Sequence, residues 1–501
     1  MKTIPDSFGI LLAFVAIATI YLRHRSRASK LSFPPGPWEV PLFGNIFNLD
    51  LSCPWDLFTR WKSDYGNLVG LNILGTRVII LNSHESIVDL LEKRGNIYSH
   101  RPTFTVLGEL MNLNKSIMLI PYGPEWKECR RLEHLALSTA AVKHYEPMQE
   151  RVAATLCMDL IEDAANFYNL VRLNSARVVL HIIYGISPRV IDREYITHAE
   201  ETMRIVGESS VLGTYLCDFI PIMKHLPHWV PFQRKAAEGR MKIERMVTTP
   251  FSRVKQEMDA GTASPSLLYD LLTGMKAEEL TVETEERIMW TTASMYAAGA
   301  ESTAGTTNVF LIAMALHPEA QAKAHEEIDK VVGTIRLPRL SDRDELPYIN
   351  ALVKEVMRWH PILPLGISRR TAADDVYGGY FIPKDTVIVP NVWQIAFSPN
   401  ERYPPDDFIP ERFLDNEVPT TDPSLWAFGF GRRLCPGKAL GETNIWILIA
   451  TLLAVFDVSP PEEDVLDPQY EPQLVSLPKR FACRIVPRSP EKVRLVQEAL
   501  L

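Results

Sequence analysis

From Val282 to Leu316 the chain keeps a helical pattern without a break, and His317-Pro318 stops it. At 1.5 Å per residue such a helix spans roughly 50 Å, enough to cross a whole domain. A helix of that length has to be central, and the rest of the fold has to be built around it. Pro318 opens a second helix that runs towards Gly333, and a third is predicted from Leu346 to His360, ahead of Pro361. Leu68 to Leu81 (LVGLNILGTRVIIL), rich in β-branched residues around Gly75, predicts a hairpin. A second small sheet is predicted within Val376 to Val389, where Gly378-Gly379 and Pro383-Lys384-Asp385 punctuate short strands. The fold class is therefore mainly α with small β-sheets.

A chain of 501 residues, 46% hydrophobic and 23% charged, can bury a large core. No Gly/Ser-rich stretch, low-complexity tract or internal repeat marks a boundary, which leaves one large catalytic domain as the simplest organisation. The net charge of −8 disfavours a nucleic-acid protein, whose phosphate contacts ask for an excess of Lys and Arg. The six cysteines (Cys53, Cys129, Cys157, Cys217, Cys435 and Cys483) lie far apart without a C-x-x-C pair. Neither a disulfide framework nor a Cys-rich zinc site is suggested, and the bulk of the chain suits a reducing compartment.

The N-terminus differs from everything after it. Phe8 to Leu22 (FGILLAFVAIATIYL) is uncharged and almost wholly apolar, and Arg23, His24, Arg25, Arg27 and Lys30 follow directly. The run is somewhat short against the ~20 residues of a spanning helix, although Ile4 and Pro5 can extend it. A cleaved signal peptide carries its basic residues ahead of the apolar run, whereas here the stronger cluster lies behind it, so an uncleaved anchor is expected. The organisation predicted is a transmembrane anchor with its basic flank at residues 1–30, a proline-rich hinge at 31–50 (Pro34-Pro35-Gly36-Pro37, Pro41, Gly44), and a catalytic domain at 51–501. The positive-inside bias keeps that domain cytosolic, and the sequon Asn114-Lys115-Ser116 then stays unglycosylated.

The segment that carries most chemistry is Phe428-Gly429-Phe430-Gly431-Arg432-Arg433-Leu434-Cys435-Pro436-Gly437, with a helical run from Lys438. Glycines at 431 and 437 allow backbone close to Cys435, and the following helix turns its N-terminus towards a thiolate. A lone buried Cys is usually a small hydrophobe, but Gly, Arg, Cys and Gly at this spacing are too specific for that. The segment resembles the haem-binding loop of the cytochrome P-450 family, F-x-x-G-x-R-x-C-x-G, with every fixed position filled. The resemblance implies that Cys435 is the proximal iron ligand of haem b, that Arg433 neutralises a propionate and that Phe428 packs beside the sulfur, with Gly437 closing the loop. It covers the chain from the proline stretch to Phe481-Ala482-Cys483 and implies the cytochrome P-450 fold, a haem domain behind the anchor.

Other segments resemble the same family. Glu355-Val356-Met357-Arg358 places a carboxylate and a guanidinium on one helix face, and with Arg412 of Pro410-Glu411-Arg412-Phe413 it is similar to a structural network around the haem pocket. Trp126 and Arg130 resemble W-x-x-x-R, whose side chains reach a propionate, and Arg369 stands where many relatives carry a propionate-binding His. Ala298-Gly299-Ala300-Glu301-Ser302-Thr303 resembles A-G-x-D/E-T-T, where small residues admit oxygen and an acid and a hydroxyl relay protons. Ser302 replaces the usual Thr, so either Ser302 or Thr303 supplies the hydroxyl. In-helix Ser and Thr also simply bond back to carbonyls.

The implied reaction is mono-oxygenation of a lipophilic small molecule, by resemblance to fungal secondary-metabolism members a terpenoid or another secondary metabolite. No reductase is fused, since no flavin or nicotinamide fingerprint appears. The implied partner is the NADPH-cytochrome P-450 reductase of the endoplasmic reticulum membrane, with Lys127, Arg131, Arg432 and Lys438 as a candidate basic dock. The pocket is expected to be lined from 101–121, 206–226, 297–303, 362–367 and 475–477. A haem-thiolate isomerase or dehydratase, or a non-enzymatic membrane haem-binding protein, are the alternatives; they have less use for the Glu301 pair.

Overall fold

The computed structural model describes residues 31–501 except 51, 188–192, 212, 277, 463 and 464. The apolar run read as a membrane anchor lies outside the described residues. The helices that position the site are α1 (Pro124–Leu137), α2 (Phe167–Tyr184), α3 (Arg193–Ser209), α4 (Val282–Leu316), α5 (Pro347–Trp359) and α6 (Lys438–Val455).

Helix α4 extends over 35 residues, as its pattern predicts. The Thr281 side chain caps it by accepting from the Thr284 N–H at 3.2 Å, and Glu283 and Glu285 occupy the first turn, where the helix dipole favours carboxylates. From Thr303 to Ala315 every residue is buried, and this half packs with α5 and α6 in the main core. Helix α6 is apolar enough to cross a membrane but is 72% buried within that core. The N-terminal half of α4 packs on α2 and α1.

The main sheet has strand order β1-β2-β6-β3, formed by β1 (Leu68–Ile73), β2 (Thr76–Leu81), β3 (Arg369–Arg370) and β6 (Val387–Pro390). The predicted hairpin is β1-β2, turning through Leu74 and Gly75 at positive φ, as a tight turn requires. β4 (Asp375–Tyr377) and β5 (Tyr380–Ile382) form a separate two-stranded hairpin. The expectation of one small sheet across 376–389 needs correction. β6 leaves the hairpin through the turn at Asp385, whose φ is +65, and pairs parallel with β2 in the main sheet. A parallel partner so distant in sequence leaves no local trace, because the connection runs through most of the helical layer.

The proline-rich stretch is docked on the domain. The Gly70 N–H donates to the Pro35 carbonyl at 2.8 Å, and Gly44 bridges to Ile73. A Cβ at Gly36 would lie 1.9 Å from the Gly70 carbonyl oxygen, so only glycine permits the approach. The packed domain therefore begins before residue 50, inside the stretch read as a hinge.

Glu355 and Arg358 on α5 and Arg412 are all almost fully buried and meet at one point. Arg358 Nε and Nη2 donate to the Glu355 carboxylate at 2.7 and 2.9 Å, and Arg412 Nε donates to the same group at 3.1 Å. The remaining guanidinium N–H groups donate to carbonyls of Pro404, Pro405 and Asp407. Removing one partner of such a cluster strands the other charges. Arg358→Leu should cost about 3–5 kcal/mol, read as a large fall in Tm and in folded yield. A Tm within about a degree of wild type would contradict a structural role for the cluster.

Candidate functional site

The Cys435 loop is held by backbone. The Cys435 N–H donates to the Phe428 carbonyl at 2.8 Å, and Leu434 N–H to that of Gly431 at 3.0 Å. Gly431 has φ +53, and a Cβ there would lie 2.2 Å from the Leu91 carbonyl oxygen. This glycine is thus demanded by the approach to Leu91, whereas the sequence pattern attributes it to closeness to Cys435. Gly437, at φ −86, needs no left-handed freedom, and a Cβ there would make only an ordinary 3.9 Å contact with Cys435 Sγ. Phe428 packs beneath the start of α6, its ring 3.3 Å from the Cβ position of Gly441. Burial pushes the Cys435 thiol up, opposed by the Gly437 N–H and by Arg130. A thiolate here needs a positive partner at the sulfur, as a coordinated metal provides.

Beside Cys435 lies a surface depression of about 360 Å³ lined by Trp126, Lys127, Arg130, Arg131, His134 and Pro436. Among the described residues no group of three or more His, Cys, Asp and Glu could hold a metal. An iron at Cys435 must bring its other donors with it.

Four guanidiniums gather near the loop without a matching set of carboxylates. Arg433 donates to the carbonyls of Ser99, Ile117 and Ile120 at 3.0, 3.0 and 2.5 Å. Arg369, carried in by β3, is buried and donates from Nη2 to the Phe430 carbonyl at 3.1 Å, while its Nε and Nη1 have no partner. Arg101, also buried, donates only to the carbonyls of Met118, Ile367 and Ser368. Arg130 on α1 donates to the Leu434 carbonyl and pairs with Glu133 at 3.3 Å. Burial and the neighbouring Arg433 push the Arg369 guanidinium down to about 9, and burial with Arg130 pushes Arg433 down to about 10. Trp126 is the platform between two of them, its ring 5.0 Å from the Arg433 guanidinium and 5.8 Å from that of Arg130. Arg101 and Arg369, buried cations that face only carbonyls, are incomplete as a protein site, and the carboxylates of a haem would supply the missing anions.

On the other element, α4 interrupts its burial between residues 297 and 302. Ala298 is exposed and Glu301 and Ser302 are half-buried, between the mostly buried stretches 290–296 and 303–315 of the helix. Ser302 Oγ donates back to the Ala298 carbonyl at 2.9 Å, whereas Thr303 is 6% exposed. Burial pushes the Glu301 carboxyl up to about 7, with Arg172 opposing and Glu200 reinforcing the shift. Arg172 on α2 pairs with Glu200 on α3 at 2.7 Å.

Sequence reasoning singled out neither Arg101 nor the Arg172–Glu200 pair. Arg101 falls within a segment expected to line the pocket, but its sequence neighbours give no sign that the fold buries it beside two other arginines. Three of the four candidate dock cations are engaged. Arg131 pairs with Glu128 at 2.7 Å, Arg432 donates to the Tyr122 hydroxyl, and Lys438 donates to the Ser424 carbonyl at 2.7 Å.

If Arg369 completes its hydrogen bonds on a bound carboxylate, Arg369→Leu should speed haem loss by about ten- to a hundredfold, measured by transfer to an apo-globin acceptor, and Arg369→Lys by less. An unchanged loss rate in the Leu variant would remove Arg369 from that role.

Comparison with known proteins accords with this geometry. A model of the family described as Cytochrome P450 matches residues 34–484. The chain is 35% identical to cytochrome P450 monooxygenase claR of Ampulloclitocybe clavipes, over 98% of this chain and 93% of the relative. It is 37% identical to cytochrome P450 monooxygenase COX2 of Coprinopsis cinerea, over 93% and 91% respectively. It is 36% identical to cytochrome P450 monooxygenase 58 of Postia placenta, over 96% and 93%. The chain belongs to the cytochrome P450 family, and is an oxidoreductase of the monooxygenase type whose cofactor is a cysteine-ligated haem b.

Proposed function

We propose that this monooxygenase is held in the endoplasmic reticulum membrane by its N-terminal apolar run, with the catalytic domain cytosolic. It takes electrons from NADPH-cytochrome P450 reductase and oxidises a lipophilic secondary metabolite, with a terpenoid skeleton as the first class to test. One O₂, two electrons and two protons convert a C–H bond to C–OH and one water. The observation that carries the reading is the Cys435 loop standing beside the buried Arg369 and Arg101, which lack carboxylate partners.

In this reading Cys435 would hold the haem iron through its thiolate, and Arg101, Arg130, Arg369 and Arg433, with Trp126, would hold the haem carboxylates. Phe428 and Gly437 shape the loop, and Glu355, Arg358 and Arg412 fix the surrounding backbone. The bound haem supplies the activation of oxygen, which no side chain here could perform. The chain positions the substrate, excludes water and delivers protons. Glu301, with a carboxyl near 7, can both hold and release a proton at neutral pH. Ser302 is the hydroxyl on the open stretch of α4, and the buried Thr303 takes a packing role.

Exposed apolar side chains favour the membrane location. Trp38, Leu42, Phe43 and Phe47 stand on the segment that follows the anchor, and Ile222 and Trp229 are likewise exposed. Leu49 and Phe219, next to these two segments, pack against the same hydrophobic cluster. Lys127, at the rim of the depression beside Cys435, offers a cation to an acidic reductase.

In wild type reconstituted with reductase, product formation limited by proton delivery should fall as pH rises through about 7, where Glu301 loses its proton. Glu301→Gln should abolish that limb and lower turnover by about a hundredfold, with haem content and substrate-induced spectral shift retained. Wild-type turnover in the variant would remove Glu301 from proton delivery.

A further inference from the structure

Gly305 lies three residues beyond Ser302 on α4, on the same side of the helix. A Cβ built there would fall 2.5 Å from Leu477 Cδ2 and 3.1 Å from Ile362 Cδ1, so both side chains press on the helix backbone where a side chain is missing. Ile362 and Leu477 are themselves only half-buried. Leu477 belongs to a turn whose position is fixed from below. The Ser476 N–H donates to the Ile362 carbonyl at 2.8 Å, and Glu471 N–H to that of Leu477 at 2.9 Å.

Ser476 is fully buried, and both its carbonyl and its hydroxyl oxygen lie 3.1 Å from His360 Nε2. The carbonyl can only accept, so Nε2 carries the proton and donates. The His360 ring stacks on Tyr470 at 3.6 Å between centroids and meets Trp393 edge-on at 5.7 Å. Burial pushes the imidazole down to about 4, which keeps it neutral at any working pH. A buried neutral histidine clamped between two aromatic rings is a rigid support.

We propose that Gly305, Ile362 and Leu477 form a steric stop about one helical turn beyond the open stretch of α4, and that His360 is the positioning residue that holds Leu477 in place through Ser476. The stop limits the girth of whatever lies beside Ser302. It admits a slim or flat part of a lipophilic skeleton, excludes a caged or multiply branched one, and so helps decide which carbon is presented for oxidation. The inference rests on the proposed haem site.

The test is equilibrium binding of imidazoles to the holoenzyme, read from the shift of the haem spectrum, using imidazole, 1-butylimidazole and 1-(1-adamantyl)imidazole. Leu477→Ala should raise affinity for the adamantyl probe at least tenfold over wild type and leave the other two within twofold. Gly305→Ala should weaken the adamantyl probe, and Gly305→Ala with Leu477→Ala should return it towards wild type, because the added methyl fills the space vacated. His360→Phe, and the milder Ser476→Ala, should move the adamantyl-to-butyl ratio in the direction of Leu477→Ala, while His360→Asn, which keeps a donor, should move it less. Equal ratios in wild type, Leu477→Ala and Ser476→Ala, with imidazole bound normally, would overturn the stop. Failure of wild type to give any imidazole-induced shift would overturn the haem reading and the stop with it.

Discussion

Taking a guanidinium out of water costs several kcal/mol unless something compensates, and this fold gathers Arg101, Arg369 and Arg433 where mainly backbone carbonyls face them. The sheet brings Arg369 in on β3, the bridge between His100 and Arg370 brings Arg101 alongside, and the Cys loop brings Arg433. Burial loosens the hold of each on its proton, and neighbouring cations add to it: Arg369 and Arg433 act on Arg101, Arg433 on Arg369, and Arg130 on Arg433. Such an arrangement is uneconomical for a protein alone and reasonable for one that receives a dianionic cofactor. β3, the Cys loop and the Trp126 ring, which lies against Arg433 and Arg130, bring these cations to one place.

The Glu355 cluster solves the opposite problem. There the carboxylate is present, each guanidinium nitrogen finds an oxygen, and the result is a rigid knot between α5 and the segment leading to the Cys loop. The two arginine clusters thus divide labour. One is closed and structural, the other open towards a ligand, and the difference is legible in whether the charges are matched within the chain.

Much of this was visible in the sequence, and what was missed shares a cause. The span of α4 could be read because a continuous helical pattern between Thr281 and Pro318 has no competing interpretation. The pairs on α1 and α5 could be read because helices place residues three or four apart on one face, and the Cys loop and the 298–303 segment because their residues resemble motifs of a known family. β6 could not be placed, because its parallel partner β2 lies far away in sequence. Arg101, Arg172 with Glu200, and the support of Leu477 by His360 escaped for the same reason. Each depends on segments that meet only in the folded chain, and none has a local spacing that announces it. The docking of residues 33–45 was hidden by prolines that suggest a free hinge, while the glycines at 36, 44 and 70 that permit close backbone approach carried the contrary signal.

The central claim is that Cys435 binds iron as a thiolate. The reduced carbon-monoxide difference spectrum of membranes carrying the wild-type chain, recorded beside Cys435→Ala, tests it most directly. The account predicts a strongly red-shifted Soret band in wild type that is lost in the variant. Its absence from well-folded, haem-loaded wild type, or its persistence in Cys435→Ala, would contradict the account.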